Sequence, residues 1–178
     1  MAKIGLFYDS DTGNTRKVAK MICKHFDDGD IELKSITKVV PADFDQYSAF
    51  ILGTPTLGEG ELPENWDAFL PELDAMDFSG KTIALFGLGD QGEYGHEFVD
   101  GLGILYEKFE SLGASFIGFW PRNGYEYEIS RAELNDDQFV GLVLDQDTQS
   151  DLTPERVETW IAQIKPALLE AAENTEAA

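Results

Sequence analysis

The sequence predicts an α/β domain built on an open, mainly parallel, five-stranded sheet with helices on both faces. Three observations predict it. Strand signals alternate with helix signals along the chain, the pattern of strand–helix–strand units. Ile4 to Tyr8, Ala49 to Leu52 and Thr82 to Phe86 are continuous apolar runs rather than alternating ones, as expected when both faces of a strand are covered. Each run is followed by turn formers, at 10–15, 54–62 and 87–95, so three loops leave the carboxyl ends of strands. Ligands of open α/β sheets bind at those ends, and the three loops should converge on one ligand.

The first strand leads into Ser10-Asp11-Thr12-Gly13-Asn14-Thr15 and then a helical pattern from near Arg16. This turn offers the hydroxyls of Ser10, Thr12 and Thr15, the Asn14 amide, and the N–H groups of a first helical turn, which lack intrahelical acceptors. Gly13 lets backbone approach an anion, and the helix dipole adds about half a positive charge at that end. The loop therefore reads as a phosphate cradle made of neutral donors. An ordinary N-cap needs only one or two such residues. Val18, Ile22 and Phe26 recur at a spacing of four, with Arg16, Lys17, Lys20 and Lys24 on other faces, until Asp27-Asp28-Gly29 ends the helix.

Ile31 to Ile36 reads as an edge strand, and Pro41-Ala42-Asp43-Phe44 as a short helical turn. Tyr47 to Gly53 carries the third, buried strand. Trp66, Phe69, Leu70 and Leu73 form the next helical stripe, interrupted by Pro71. After the fourth strand at Thr82 to Phe86, a helix carrying Phe98, Leu102, Leu105, Tyr106 and Phe109 runs to Leu112-Gly113, and Ser115 to Phe119 is the fifth strand. From Trp120 to Gln138 the pattern breaks into Pro, Asn, Gly and charges, an inserted loop or small hairpin. Phe139 to Leu144 resumes a strand, and Thr153-Pro154-Glu155 opens the last helix with Pro in its first turn. One domain thus spans 1–170, with 120–138 inserted and 171–178 as a frayed acidic tail.

At 178 residues and 43% hydrophobic content, the chain fits one domain with a proper core. Thirteen basic against 34 acidic residues give a formal charge of -21. That balance argues against nucleic acid and anionic membrane as partners and favours a basic protein surface. Met1-Ala2-Lys3 leads straight into a strand, and no apolar run approaches membrane-spanning length, so a cytoplasmic protein is expected. Cys23 is the only cysteine, and His25 and His96 lack ligand spacing; no disulfide and no metal site are expected.

Two motifs point elsewhere. Gly87-Leu88-Gly89-Asp90-Gln91-Gly92 satisfies the dinucleotide fingerprint, but the opening turn of the unit is already taken by 10–15, and Asp90 and Glu93 would repel a pyrophosphate. Gly80-Lys81-Thr82 matches the end of a nucleotide-binding P-loop, yet Ala75 stands where the earlier glycine belongs, and the segment opens a strand.

Ser10-Asp11-Thr12-Gly13-Asn14-Thr15, Leu52-Gly53-Thr54-Pro55-Thr56-Leu57-Gly58 and Ala84-Leu85-Phe86-Gly87-Leu88-Gly89-Asp90-Gln91, in that order, resemble flavodoxin over nearly the whole chain. The interrupted fifth strand, closing with Phe139-Val140-Gly141-Leu142 and Leu144-Asp145-Gln146-Asp147, is similar to the long-chain class. The resemblance implies a flavodoxin-like, doubly wound sheet of order 2-1-3-4-5. It also implies a non-covalently bound FMN used for low-potential one-electron transfer, without substrate turnover. Ser10, Asp11, Thr12, Gly13, Asn14 and Thr15 would hold the ribityl phosphate. Thr54, Pro55, Thr56, Leu57 and Gly58 would flank the isoalloxazine ring on one side, and Leu88, Gly89, Asp90 and Tyr94 on the other. Tyr94 would stack on the outer face, Asp90 would sit near the pyrimidine edge, and Asp147 would approach the ribityl chain. The implied partners are basic docking faces of a flavodoxin reductase and of acceptor redox proteins, met by a monomer.

Physical chemistry agrees with these implied roles. A stacked ring at 94 adds about 0.5–1.5 kcal/mol beyond area burial. Gly58 can change backbone orientation at little steric cost, as a carbonyl turning toward a protonated flavin nitrogen would require. Carboxylates at Asp90, Glu59, Glu61 and Glu93 would oppose an anionic reduced flavin. One charge at about 6 Å and an effective dielectric near 20 costs about 2.8 kcal/mol, or roughly 120 mV. Two departures from the family stand out: Asp9 puts a carboxylate beside the phosphate loop, and Leu57 replaces a frequent Trp. Rival readings are a flavin-dependent quinone or nitro-compound reductase, which needs an open substrate pocket that Tyr94 should cover, and a phosphoacceptor signalling domain. The latter needs a lysine after the fifth strand, where Phe119-Trp120-Pro121 offers none.

Overall fold

The computed structural model describes residues 3–10 and 12–177. Four parallel strands form most of the sheet: β1 (Ile4–Tyr8), β2 (Ile31–Ser35), β3 (Ala49–Pro55) and β4 (Thr82–Leu88). Short strands follow: β5 (Ser115–Ile117), β6 (Trp120–Pro121), β7 (Gln138–Phe139) and β8 (Leu142–Leu144). The sheet order is β2-β1-β3-β4-β5, the 2-1-3-4-5 order that the flavodoxin resemblance implies. Its last place is shared. β5 pairs with Thr82 to Ala84 of β4, and β8 pairs with Phe86 to Leu88 further along the same strand. Between them β6 and β7 form a small antiparallel hairpin.

Helices α1 (Asn14–Cys23) and α4 (Thr153–Ala177) cover one face of the sheet, and α2 (Glu64–Phe69) and α3 (Asp100–Ser111) cover the other. The continuous apolar runs divide between the two faces by strict alternation. Ile4, Leu6, Ile51, Ala84 and Phe86 pack with Val18, Ile22, Trp160 and Ile164, whereas Phe7, Phe50, Leu52, Ile83 and Leu85 pack with Trp66, Leu102, Leu105 and Phe109. Phe44 anchors the second layer with ring centroids 5.1 Å from both Phe7 and Phe50 and 5.4 Å from Phe78. Lys81 ties that turn down by donating from Nζ to the carbonyls of Phe44 (2.9 Å) and Tyr47 (2.6 Å).

Several boundaries differ from the sequence reading for visible reasons. The fifth strand stops at Ile117 because Gly118 takes a φ of 86°, and the Trp160 indole donates to its carbonyl at 2.9 Å. The run from Phe139 to Leu144 is two strands rather than one. Gly141 carries the backbone so close to β4 that a Cβ there would lie 2.2 Å from the Leu85 carbonyl oxygen. Pro71 turns the Trp66 stripe from α-helix into a 3-10 turn over Leu70–Leu73. At the end of the chain α4 continues into the segment assigned to a frayed tail, with Ala171 and Ala172 buried, in keeping with the high helix propensity of Ala and Glu. Among the described residues, no helix is long and apolar enough to cross a membrane.

Candidate cofactor site at the strand ends

The chain leaves β1 toward one side of the sheet and β3 toward the other, so a crevice opens beyond their carboxyl ends. A cavity of about 460 Å³ occupies it, within the usual range for cofactor sites. The structure brings Thr12, Asn14 and Thr15 to its wall from the first loop, Pro55, Thr56 and Leu57 from the second, and Leu88, Gly89, Asp90 and Tyr94 from the third. Asp147 joins them from the turn after β8. The three loops expected to converge do so, and a fourth segment completes the wall.

Other residues named from the sequence are not among the lining residues. Ser10 uses its hydroxyl to accept from the Gly13 N–H at 3.1 Å. Gly13 is the N-cap of α1 with a φ of 92°, a conformation that favours glycine. Thr54 is fully buried and donates to the Pro55 carbonyl at 2.9 Å, facing inward. Gly58, at a φ of 51°, lies in a tight hairpin closed by mutual backbone hydrogen bonds between Leu57 and Glu61 at 2.8 and 2.7 Å. Asp11 lies outside the described residues. The lining also includes Glu93, Glu97, Val99 and Gln146. Glu97 and Gln146 sit beside residues the sequence singled out. Val99 has no sequence signal, because what places it is a φ of 49° just before α3, unusual for a β-branched residue. Glu59 and Glu61 are not among the lining residues; Glu97 and Asp147 are the further carboxylates there.

Helix ends decide what the cavity can hold. The Trp66 N–H in the first turn of α2 donates to Asp9 Oδ2 at 3.3 Å, and the Gly101 N–H in the first turn of α3 donates to Thr56 Oγ1 at 2.9 Å. At α1 the N-cap is a glycine with no side chain to offer, and among the described residues no side chain accepts from the Asn14, Thr15 or Arg16 N–H groups. The Thr15 hydroxyl, on a residue 1% exposed that lines the cavity, likewise has no partner among the described residues. A donor-rich, unsatisfied helix end opening on a cavity fits a phosphate. Asp9 does not compete for it. Its carboxylate is buried and turned toward α2, accepting from the Ser10 N–H at 2.9 Å, Asn65 Nδ2 at 3.2 Å and the Trp66 N–H.

Across the cavity, Tyr94 is 47% exposed and Leu57 half-buried, so a wide apolar surface stands at the rim. The 90–94 turn is held by Asp90, whose Oδ1 accepts from the Gly92 and Glu93 N–H groups at 2.9 and 3.0 Å. Asp147 is pushed above the usual carboxylate range by burial and then by the charges of Asp90, Asp145 and Glu93. Burial also opposes the charge of Asp145, but hydrogen bonds from Thr148 and Gln91 outweigh it and hold that carboxyl below the ordinary range.

A doubly wound sheet whose crest loops enclose a donor-rich helix end and an aromatic rim has the build of a protein that binds a nucleotide cofactor. The flavodoxin family model matches residues 6–160. This chain is 47% identical over 169 residues to a flavodoxin of Synechocystis sp., covering 94% of this chain and 99% of that one. It is 45% identical over 168 residues to flavodoxin 1 of Escherichia coli K12, covering 94% and 96%. The crystal structure of Fusobacterium nucleatum flavodoxin bound to flavin mononucleotide superposes with a TM-score of 0.87 at 33% identity, over 93% of this chain and 98% of that one. The chain belongs to the flavodoxin family, whose members are electron-transfer proteins.

Proposed function

We propose that this chain holds one FMN non-covalently in the crest cavity and serves as a low-potential one-electron carrier of the long-chain class. The observation that carries the reading is the start of α1, whose N–H groups no side chain among the described residues caps, opening on the same cavity that Tyr94 and Leu57 line. FMN, when bound, supplies a ring that takes up and gives back single electrons. Everything else is done by residues of the chain. The N–H groups at the start of α1, with the hydroxyls of Thr12 and Thr15 and the Asn14 amide, hold the phosphate. Ser10 and Gly13 shape that loop from behind.

Leu57 and Tyr94 would cover the ring and keep water from it, with Pro55, Thr56, Leu88 and Gly89 lining the same cavity. Gly58, at the hairpin tip next to Leu57, would be free to reorient its peptide as the bound ring changes charge, because glycine crosses between φ regions at little cost. Asp90, Glu93, Glu97 and Asp147 disfavour added negative charge on the ring and so keep the carrier strongly reducing. The partners are basic docking faces of a reductase and of acceptor redox proteins, steered by the charge of -21, and the carrier works as a cytoplasmic monomer. The visible absorption spectrum of the purified protein, and uptake of FMN by the apoprotein, test this. A colourless preparation that fails to take up FMN supplied in excess would refute it.

A further inference from the structure

Asp145 follows β8, is fully buried, and does not line the cavity. It nevertheless collects the densest set of hydrogen bonds at the crest. Its Oδ2 accepts from the Gln91 backbone N–H (3.0 Å), Gln91 Nε2 (2.8 Å) and Thr148 Oγ1 (2.6 Å). Its Oδ1 accepts from the N–H groups of Asp147 (3.0 Å) and Thr148 (2.8 Å). Gln91 in turn accepts at Oε1 from the Glu126 N–H of the inserted segment at 2.5 Å. One buried oxygen pair thus joins the 89–94 loop, the 145–149 turn and, through Gln91, the insertion.

The 90–94 turn is closed on itself by Asp90 and by the Tyr94 N–H donating to the Asp90 carbonyl at 2.8 Å, so it moves as a unit. It is tied to the sheet end by the Gly89 N–H to the Leu144 carbonyl at 3.0 Å, by the two bonds from Gln91 to Asp145 and by Gln91 Nε2 to Thr148 Oγ1 at 3.1 Å, and to the insertion by the Gly95 carbonyl, which accepts from the Glu128 and Ile129 N–H groups at 2.8 and 3.0 Å. Weakening the Gln91 bonds to Asp145 would let the turn swing between its anchors at Gly89 and Gly95, and Tyr94, which lies between them, would shift relative to Asp147.

Resting on the flavin reading above, we propose that Asp145 is a positioning residue for flavin recognition: through Gln91 it sets the gap between the Tyr94 wall and the Asp147 side of the cavity without touching the ligand. A merely structural role would lower stability and leave the ring-binding part of affinity alone. The phosphate cradle sits on a different segment, so a positioning role weakens FMN and riboflavin together.

The test titrates apoprotein of wild type, Asp145→Asn and Gln91→Ala with FMN and with riboflavin, and records the visible circular dichroism of the bound flavin. Asn keeps the shape of Asp145 but turns one oxygen into a donor facing donors. For Asp145→Asn both affinities should fall about tenfold or more, and their ratio should stay within about twofold of wild type. Gln91→Ala, on a half-buried loop residue, should weaken both about threefold and alter the dichroism in the same sense. Affinities within about twofold of wild type in both variants would overturn the proposal, as would a loss confined to FMN. If Asp145→Asn does not fold, Gln91→Ala decides by the same criteria. A wild-type apoprotein that binds neither flavin would bring down the flavin reading itself, a result distinct from any of these.

Discussion

Asp9→Asn separates two roles that the structure gives to one carboxylate. Asp9 is 3% exposed and accepts from the Ser10 N–H, Asn65 Nδ2 and the Trp66 N–H at 2.9, 3.2 and 3.3 Å. Asparagine preserves the shape but sets an amide N–H₂ against one of these donors. Hydrogen bonds to charged groups contribute about 1.5–3 kcal/mol, and a buried donor left without an acceptor costs about 1–3 kcal/mol. Because Asn65 can turn to water, the net loss should be about 2–3 kcal/mol. A chain of this length loses about 2–4 °C of Tm per kcal/mol, so the apoprotein should melt about 4–12 °C lower. Toward the phosphate the sign reverses. On the proposed reading the cradle begins at the next residue, and a carboxylate about 7 Å from a unit negative charge opposes it by about 2.4 kcal/mol at an effective dielectric of about 20. Salt screening reduces that to about 1 kcal/mol, so FMN affinity should rise about fivefold while riboflavin affinity does not. Thermal melts of the apoprotein and calorimetric titrations with both flavins read the two effects separately. A melt within about 1 °C of wild type would show that the α2 cap contributes nothing. An unchanged ratio of FMN to riboflavin affinity would show that the Asp9 charge is not felt at the loop.

Tyr94→Ala should weaken FMN and riboflavin about tenfold each, from lost stacking and lost apolar cover, and quenching of flavin fluorescence measures it; equal affinities would place the ring elsewhere. Asp147→Asn should raise the potential of the more reducing flavin couple by about 40 mV, a third of the unscreened figure because the side chain is exposed. Potentiometric titration at low and high salt checks both the shift and its screening. Asp145 carries the pH prediction. Its carboxyl is held below the ordinary value of 3.8, so its stabilising contribution is complete above that value and is lost as pH falls from there through the lower folded-state value. Urea unfolding of wild-type apoprotein should therefore show an extra loss of stability as pH falls below the ordinary carboxylate value of 3.8 that Asp145→Asn lacks.

The topology was legible because continuous apolar runs alternate with helical stripes, and side-chain period two then divides each run between two cores without further information. Phe7 and Leu6 face opposite ways for that reason alone. Strand breaks were less legible. Gly118 and Gly141 look like any strand glycine until Trp160 and the Leu85 carbonyl come within contact distance, and both partners are remote in sequence. At the crest, the loop residues could be named from their types and order, but their orientation could not. Ser10 and Thr54 carry hydroxyls suited to a ligand; the folded chain turns the Thr54 O–H onto the Pro55 carbonyl, whereas Ser10 accepts from the Gly13 N–H and keeps its own O–H to donate. Val99 enters the wall through a backbone conformation that its side chain disfavours.

Of the helices that begin at this end of the sheet, α1, α2 and α3 border the crevice, and the way their first turns are satisfied links folding to binding. α2 takes its acceptor from Asp9 after β1, and α3 takes its acceptor from Thr56 in the loop after β3. Both partners lie far along the chain from the helix they cap, so those ends are satisfied only when the sheet has assembled. Ser10, in the loop before α1, accepts instead from Gly13, one residue short of the first helical turn. Folding therefore gives two of these ends a side-chain acceptor, and at the third no side chain among the described residues accepts from the first-turn donors, which face the cavity. A phosphate that satisfies them binds the native chain and not the unfolded one, and ligand at a thousandfold excess over Kd then adds about 4 kcal/mol to stability. Asp9 and Thr56 keep the crest loops in place before any ligand arrives, so the affinity at α1 is not reduced by the cost of ordering its surroundings.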